Sequence, residues 1–188
     1  MSEKMLKKIN SLQLLSAESE RALLSGMKLK KLNRNSILLA EGEHCKGIYF
    51  VESGCLRAAM YKDGREINLS FFLENNFATN LKSLRRDSPS EYYIKACEPS
   101  TVWSLNKIDL FELYERSAEI SNFGRILLEQ LLIEQEDHAN FLKINSQAER
   151  YAHILKNAPA LLQKVSLTQL SSYLGMSRES LSRIRKIK

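Results

Sequence analysis

The stretch Ser166–Lys188 reads SLTQLSSYLGMSRESLSRIRKIK. Three leucines recur in it at helical spacing and predict a helix with one apolar face: Leu167, Leu170 and Leu174. Gly175 can adopt a positive φ and end that helix. Ser177 is a suitable N-cap for a second, arginine-rich helix. Two short helices joined by a tight glycine turn predict a helix-turn-helix, whose second helix must enter the major groove of DNA.

The apolar positions of this stretch fit such a helix pair. Leu181 and Ile184 would face the first helix, and the small Ser171 would lie where the helices cross. Met176 adds an apolar contact beside the turn. The alternative interpretation is a helical hairpin whose basic face is only solvated, and it does not require all of these features together.

Residues 175–184, GMSRESLSRI, resemble the recognition segment of the Crp/Fnr transcription regulators, whose pattern is Gly-x-Ser-Arg-Glu-Ser/Thr-Val/Leu-x-Arg-Ile. The resemblance implies that Arg178, Glu179 and Arg183 contact base edges. Their chemistry agrees, because arginine donates two hydrogen bonds to guanine and glutamate accepts one from cytosine. The predicted DNA-binding set also includes Ser177 and Ser182, with phosphate contacts from Thr168, Arg185, Lys186 and Lys188.

The positive charge is concentrated at the same end of the chain. The 188 residues carry a formal net charge of +6. Residues 146–188 contain eight Lys or Arg and two Glu, whereas residues 1–145 contain 20 charges of each sign. The whole excess therefore lies in the segment with the predicted helix-turn-helix, as attraction to DNA phosphates requires.

Composition argues against several other classes of protein. No apolar run approaches the roughly 18 residues that span a bilayer, and the N-terminus lacks the apolar core of a signal peptide. A cytoplasmic location without a membrane partner is predicted. Cys45, Cys55 and Cys97 are an odd, dispersed set, which favours buried or incidental thiols over a disulfide framework or metal site. No catalytic or metal-binding pattern is found, so an enzyme is not expected.

Short segments rich in β-formers and punctuated by glycine occupy residues 28–105, and Lys62–Arg65 is a strong hairpin turn. Seven or so strands at this spacing predict a barrel or sandwich. The region resembles the cyclic-nucleotide-binding-type β-roll of the same family. The predicted fold class is α+β: an N-terminal double-stranded β-helix (a jelly roll), a long dimerisation helix, and a C-terminal winged-helix-like helix-turn-helix without a recognisable wing. The predicted domains are residues 1–116, 117–145 and 146–188.

The β-wing that many relatives carry after the recognition helix is missing from the pattern, so weaker clamping of the DNA backbone is expected. Residues 146–155 resemble the first helix of the family's DNA-binding domain, with Arg150 and Leu155 at marked positions.

A long helix is predicted from about Ser117 to Ile144, since the segment has an apolar stripe and no proline. An intrachain core could absorb the stripe. Self-pairing is the preferred interpretation and is supported by the resemblance. The predicted dimer interface contains four residues: Ile120, Phe123, Leu127 and Leu131. A two-fold dimer would place two recognition helices on one face of a duplex and read a pseudo-palindrome.

The roll lacks the family's nucleotide-binding signature. The run Phe77–Leu81 stands where cyclic-nucleotide binders have Phe-Gly-Glu-x-x-Leu, and Ser90–Tyr92 stands near their Arg-Ser/Thr-Ala. A divergent branch that does not bind cAMP is therefore predicted. Four cysteines for an iron–sulfur cluster are also lacking, and His44, His138 and His153 offer no convincing haem ligand. No cofactor is predicted.

The roll could bind an unknown apolar or acidic molecule, or it could bind nothing and act as a dimer scaffold. The candidate pocket residues are Phe71, Phe77, Asn80, Tyr92 and Tyr93. The predicted partners are double-stranded DNA, a second copy of the chain and an unknown small-molecule effector, and the resemblance adds RNA polymerase. The predicted function is sequence-specific transcription regulation. The alternative is a ligand-binding or protein-interaction module that binds nucleic acid only non-specifically.

Overall fold

The computed structural model describes residues 2–187, and for Ile187 the backbone alone. These residues form eight strands: β1 (Lys28–Leu32), β2 (Ile37–Leu39), β3 (Gly47–Ser53), β4 (Cys55–Lys62), β5 (Arg65–Leu73), β6 (Phe77–Ala78), β7 (Tyr93–Ala96) and β8 (Ser100–Asn106). They also form nine helices: α1 (Glu3–Leu12), α2 (Ala17–Ser25), α3 (Leu81–Arg86), α4 (Lys107–Arg116), α5 (Ala118–Ile144), α6 (Gln147–Asn157), α7 (Pro159–Lys164), α8 (Leu167–Tyr173) and α9 (Arg178–Ile187).

The strands form two four-stranded antiparallel sheets, in the orders β1-β8-β3-β6 and β2-β7-β4-β5. The predicted hairpin joins β4 to β5, and Asp63 and Gly64 at its tip have φ angles of 51° and 73°. Two positive φ values in succession match the twist of the flanking strands. The sequence did not predict the short strand β6. The predicted fold class, a β-roll followed by a long helix and C-terminal helices, is confirmed.

Two apolar clusters hold the chain together. The larger lies between the sheets and extends to α1, α2, α4 and the first half of α5. The smaller joins the outer face of the second sheet to the C-terminal helices, and its buried members are Cys55, Cys97, Tyr151, Ile154, Leu161, Leu170, Leu174 and Leu181. The helix-turn-helix therefore packs directly on the roll. The division of the chain into three domains stays a prediction.

Three of the four residues predicted for the dimer interface on α5 are buried within the chain instead. Ile120, Phe123 and Leu127 are 0%, 5% and 5% exposed, because they pack against the roll within the same chain. Leu131 is half-buried beside them. Side chains with almost no accessible surface cannot gain appreciable burial from a second copy. The alternative of an intrachain core is the one that the structure adopts for this stripe.

The second half of α5 has a different environment. Leu132 and Ile133 are 59% and 53% exposed. Gln135 and Ala139 are also exposed, and Leu128, one turn before Leu132, is half-buried. Apolar side chains on this half of the helix thus remain open to solvent.

Candidate nucleic-acid interface

The helix α8 begins at a capping box. Ser166 Oγ accepts a hydrogen bond from the backbone of Gln169 at 3.2 Å, and Gln169 Oε1 accepts one from the backbone of Ser166 at 2.9 Å. The pair satisfies donors that every helix start leaves free. Gly175 then adopts a φ of +63°. This is the left-handed conformation that ends a helix and turns the chain.

Ser177 immediately precedes α9, and its Oγ accepts a hydrogen bond from Ser180 N at 3.1 Å. Leu181 is fully buried and fixes the inner face of the helix. Hydrogen bonds from its own backbone N–H and from Ser177 hold the pKa of Glu179 below its usual range. Glu179 is therefore an anion at neutral pH, which is the form that can only accept hydrogen bonds.

The predicted DNA-contacting side chains lie on the outer side of the helix pair. Ser182 is half-buried, and the others are exposed: Thr168, Ser177, Arg178, Glu179, Arg183, Arg185 and Lys186. Arg178, Glu179 and Ser182 surround a shallow depression together with Leu167. Lys188, also predicted to contact phosphate, lies outside the described residues. The site joins two arginines and one carboxylate on a helix face that solvent reaches.

Arg150 on α6 connects this helix pair to the long helix. Its Nη1 donates to Leu174 O at 2.7 Å, its Nη2 to Leu142 O at 2.6 Å and its Nε to Asn145 O at 2.9 Å. These carbonyls lie at the C-terminal ends of α8 and α5, where helices leave acceptors unpaired. A cation there also interacts favourably with both helix dipoles. Arg150 is therefore a positioning residue, a role that the sequence did not predict.

The other side of α8 contacts the roll. Ser172 Oγ accepts a hydrogen bond from Asn68 N at 3.0 Å and donates one to Glu66 O at 3.2 Å. Both partners lie on β5, which is the edge strand of its sheet. Tyr173 packs edge-on against Phe71, with ring centroids 5.1 Å apart. Two backbone groups of an open edge are thus paired by a side chain of the helix-turn-helix.

A cluster of charged groups supports this strand. Arg57 donates hydrogen bonds to Asn68 and Glu66, each at 2.8 Å. Burial of Glu66 favours its neutral form, but hydrogen bonds from Arg57 and Tyr93 outweigh it and hold the pKa of Glu66 below its usual range. Arg57 is consequently committed to a structural ion pair.

A cavity of about 640 Å³ lies between the roll, α5 and α8. Three predicted pocket residues line it, namely Phe77, Asn80 and Tyr92. Phe71 does not line this cavity: Phe72 does, while Phe71 packs against Tyr173 and borders an adjoining depression. Side chains of successive strand residues point to opposite faces, which separates Phe71 from Phe72. Tyr93, the other candidate, does not line this cavity and bonds Glu66 instead.

Both polar atoms of the Asn80 amide are already hydrogen-bonded within the chain. Its Oδ1 accepts a hydrogen bond from Ser83 N at 3.1 Å, and its Nδ2 donates to Ser90 Oγ at 2.7 Å. The residues that α5 and α8 contribute, including His138 and Tyr173, were not predicted from the sequence. These two rings stack with centroids 4.5 Å apart, and burial lowers the pKa of His138.

The cavity does not offer the usual groups for a phosphate. Within residues 2–187 no arginine lines it. Its one lysine, Lys82, is paired with Glu91, and Arg85 stacks on Phe111 instead. A phosphate pocket normally combines backbone N–H groups with an unpaired cation. The lining fits a largely apolar molecule better than a nucleotide.

Comparison with known proteins agrees with this architecture. Residues 29–117 match the family model of the cyclic nucleotide-binding domain. FixK2 from Bradyrhizobium japonicum superimposes with a TM-score of 0.74 and 19% identity, over 85% of this chain and 83% of that one. CLP from Xanthomonas campestris, a c-di-GMP responsive global regulator, gives a TM-score of 0.71 and 20% identity over 91% and 90% of the two chains. The chain has the Crp/Fnr fold.

A third solved structure matches this fold over nearly the whole sequence. The catabolite activator protein of Thermus thermophilus matches 96% of this chain and 85% of its own, with a TM-score of 0.59 and 20% identity. No curated protein sequence matches the chain significantly. Along the part of the chain that the structure describes, no helix is long and apolar enough to cross a membrane. The resemblance inferred from residues 175–184 is thus confirmed at the level of the fold.

Proposed function

We propose that this chain is a sequence-specific DNA-binding transcription regulator of the Crp/Fnr type, which binds a pseudo-palindromic operator as a homodimer. The main support is the outward orientation of Arg178, Glu179 and Arg183 on α9. Among residues 2–187, no carboxylate forms an ion pair with these arginines. Their donors are therefore available to base edges.

Charge supports the same function. Residues 146–188 carry the whole net charge of +6, with Arg185 and Lys186 exposed on the last turns of α9. Cations along the flank of a recognition helix are suited to phosphates on either side of the groove. Contact between this protein and RNA polymerase is part of the same proposal.

We assign the dimer contact to the part of α5 between Leu128 and Ala139, in place of the buried stripe. Leu128, Leu132, Gln135 and Ala139 recur at spacings of four, three and four residues, which places them on one helix face. Leu132 is 59% exposed and Ala139 is also exposed. A second copy of α5 on this face would bury these side chains and bring two helix-turn-helix units to one side.

Leu132→Glu is expected to make the protein monomeric at micromolar concentration. Burying two symmetry-related carboxylates without partners should cost about 3 kcal/mol or more, which is roughly a 100-fold or larger increase in the dimer Kd. Sedimentation velocity over a concentration series measures the dimer Kd. Ile108→Glu is the matched control, because Ile108 is 70% exposed on α4 and should leave dimerisation unchanged. Equal effects of the two substitutions would contradict this contact.

The cavity supports a small-molecule effector that is largely apolar and is not a cyclic nucleotide. Leu131, Leu132 and Leu142 of α5 line it opposite Phe72 and Phe77 of the roll. The same α5 face carries the proposed dimer contact, so a ligand there would be adjacent to both copies. A roll that binds no ligand and serves only as a scaffold remains the alternative.

Selection of bound fragments from a random DNA pool tests the function itself. We expect enrichment of a pseudo-palindrome whose half-sites are about 10–10.5 base pairs apart, or a multiple of that spacing. Enrichment without any shared sequence would favour the second candidate, a β-roll module with non-specific nucleic-acid binding. The basic C-terminal segment alone would explain that result.

A further inference from the structure

Two cysteines face each other across neighbouring strands of the second sheet. Leu56 of β4 is paired with Ala96 of β7, so Cys97 lies opposite Cys55. The backbone N–H of Cys97 donates to Cys55 O at 2.8 Å. Opposed residues of an antiparallel pair project from the same face with Cα atoms roughly 5.5 Å apart. That separation lies inside the range of about 4.4–6.8 Å that disulfides span.

The two thiols affect each other's ionisation. The neighbouring sulfur raises the pKa of Cys55 and lowers the pKa of Cys97, while Cys55 Sγ donates to Leu56 O at 3.6 Å. Both are free thiols. The more acidic Cys97 is therefore the better nucleophile of the two. Cys45, the third cysteine, belongs to the other apolar cluster and contacts Gly47 O and Thr79 instead.

We propose that Cys55 and Cys97 form a modification site, at which a peroxide converts the two thiols to a reversible disulfide. The Cys97 thiolate attacks one oxygen of the peroxide and forms a sulfenic acid, while the other oxygen leaves as hydroxide and takes up a proton. The Cys55 sulfur then attacks the sulfenic sulfur of Cys97. The sulfenic hydroxyl takes the Cys55 thiol proton and leaves as water. In total, two thiols and one hydrogen peroxide give one disulfide and two waters.

The position of the pair couples this reaction to the DNA-binding helices. Cys55 is 0% exposed and Cys97 is 7% exposed, and both belong to the cluster that joins the roll to α6, α7 and α8. Lys164, the last residue of α7, forms an ion pair with Glu98 beside them. A peroxide reaches the sulfurs when α7 moves away from the roll. The oxidation rate therefore reports how firmly the helix-turn-helix is docked.

Peptide mapping of the peroxide-treated full chain tests the site. Trypsin separates the three cysteines onto residues 35–46, 47–57 and 96–107. We expect a cross-link between residues 47–57 and 96–107 that dithiothreitol reverses, while Cys45 stays available to an alkylating reagent. Cys97→Ser and Cys55→Ala should each abolish it. Complete alkylation of Cys55 and Cys97 after peroxide, or a dominant link to Cys45, would overturn the proposal.

A second measurement tests the coupling to docking. Lys164→Ala removes the ion pair with Glu98 and should speed disulfide formation by about two- to fivefold, as a contact worth up to about 1 kcal/mol implies. Lys82→Ala is the matched control, because the Lys82–Glu91 ion pair lies outside this cluster and its loss should leave the rate unchanged. An unchanged rate in Lys164→Ala would overturn the coupling.

Discussion

Arg183→Ala is expected to weaken binding to the selected DNA site by about 1–3 kcal/mol per half-site, or roughly 5- to 150-fold, and to relax the preference at one base position. The guanidinium of Arg183 is exposed on α9, one turn beyond Glu179. An arginine in that position can donate two parallel hydrogen bonds to the O6 and N7 atoms of guanine. Alanine retains the helix and loses both bonds.

Competition binding with single-base variants of the selected site measures this effect. Lys186→Ala should instead weaken binding to all sequences alike and reduce the slope of log Kobs against log salt by about 1. Lys62→Ala, at an exposed position in the β4–β5 hairpin, should change neither quantity. Uniform weakening by Arg183→Ala would contradict base recognition and favour the non-specific module.

Arg150→Ala is expected to lower the free energy of unfolding by about 3 kcal/mol or more. It leaves three helix-end carbonyls without their charged donor, on Leu142, Asn145 and Leu174. Hydrogen bonds to a charged group are each worth about 1.5–3 kcal/mol, although losses within one network are not additive. The cost falls on the junction between α5 and the helix-turn-helix, so DNA binding should weaken as well.

Urea denaturation followed by circular dichroism measures the stability. Arg125→Ala is the matched control, because Arg125 is an exposed α5 residue paired with Glu129, and such pairs contribute about 0.3–0.5 kcal/mol. Arg150→Lys should recover only part of the lost stability, because one ammonium group cannot reach carbonyls at the ends of two different helices at once. Equal destabilisation by Arg150→Ala and Arg125→Ala would show that the junction does not depend on Arg150.

Local sequence patterns predicted the helix-turn-helix and the β4–β5 hairpin because short-range preferences determine both. Gly175 must adopt a positive φ for the turn, and the leucine spacing of α8 is that of one helix face. The capping box at Ser166 and Gln169 could also have been found, since its Ser-x-x-Gln pattern is a known helix start. These features depend on residues at most four positions apart.

Long-range packing limited the rest of the prediction. The apolar stripe of α5 indicates that one face is buried, but it does not say whether the roll or a second copy buries it. Register posed the same problem on β5, where the pairing with β4 shifts between Ala58 and Ala59. An extra residue in one strand reverses the alternation, so residue spacing alone does not tell which of Phe71 and Phe72 lines the cavity. The opposition of Cys55 and Cys97 likewise required the strand pairing.

The Ser172 hydroxyl has a consequence for protein handling and solubility. It occupies the Asn68 N–H and the Glu66 carbonyl, which would otherwise be open to strand addition. A released helix-turn-helix would uncover a template on which another molecule could extend the sheet. A conformer that remains detached would expose both groups to intermolecular β-pairing, which favours aggregation.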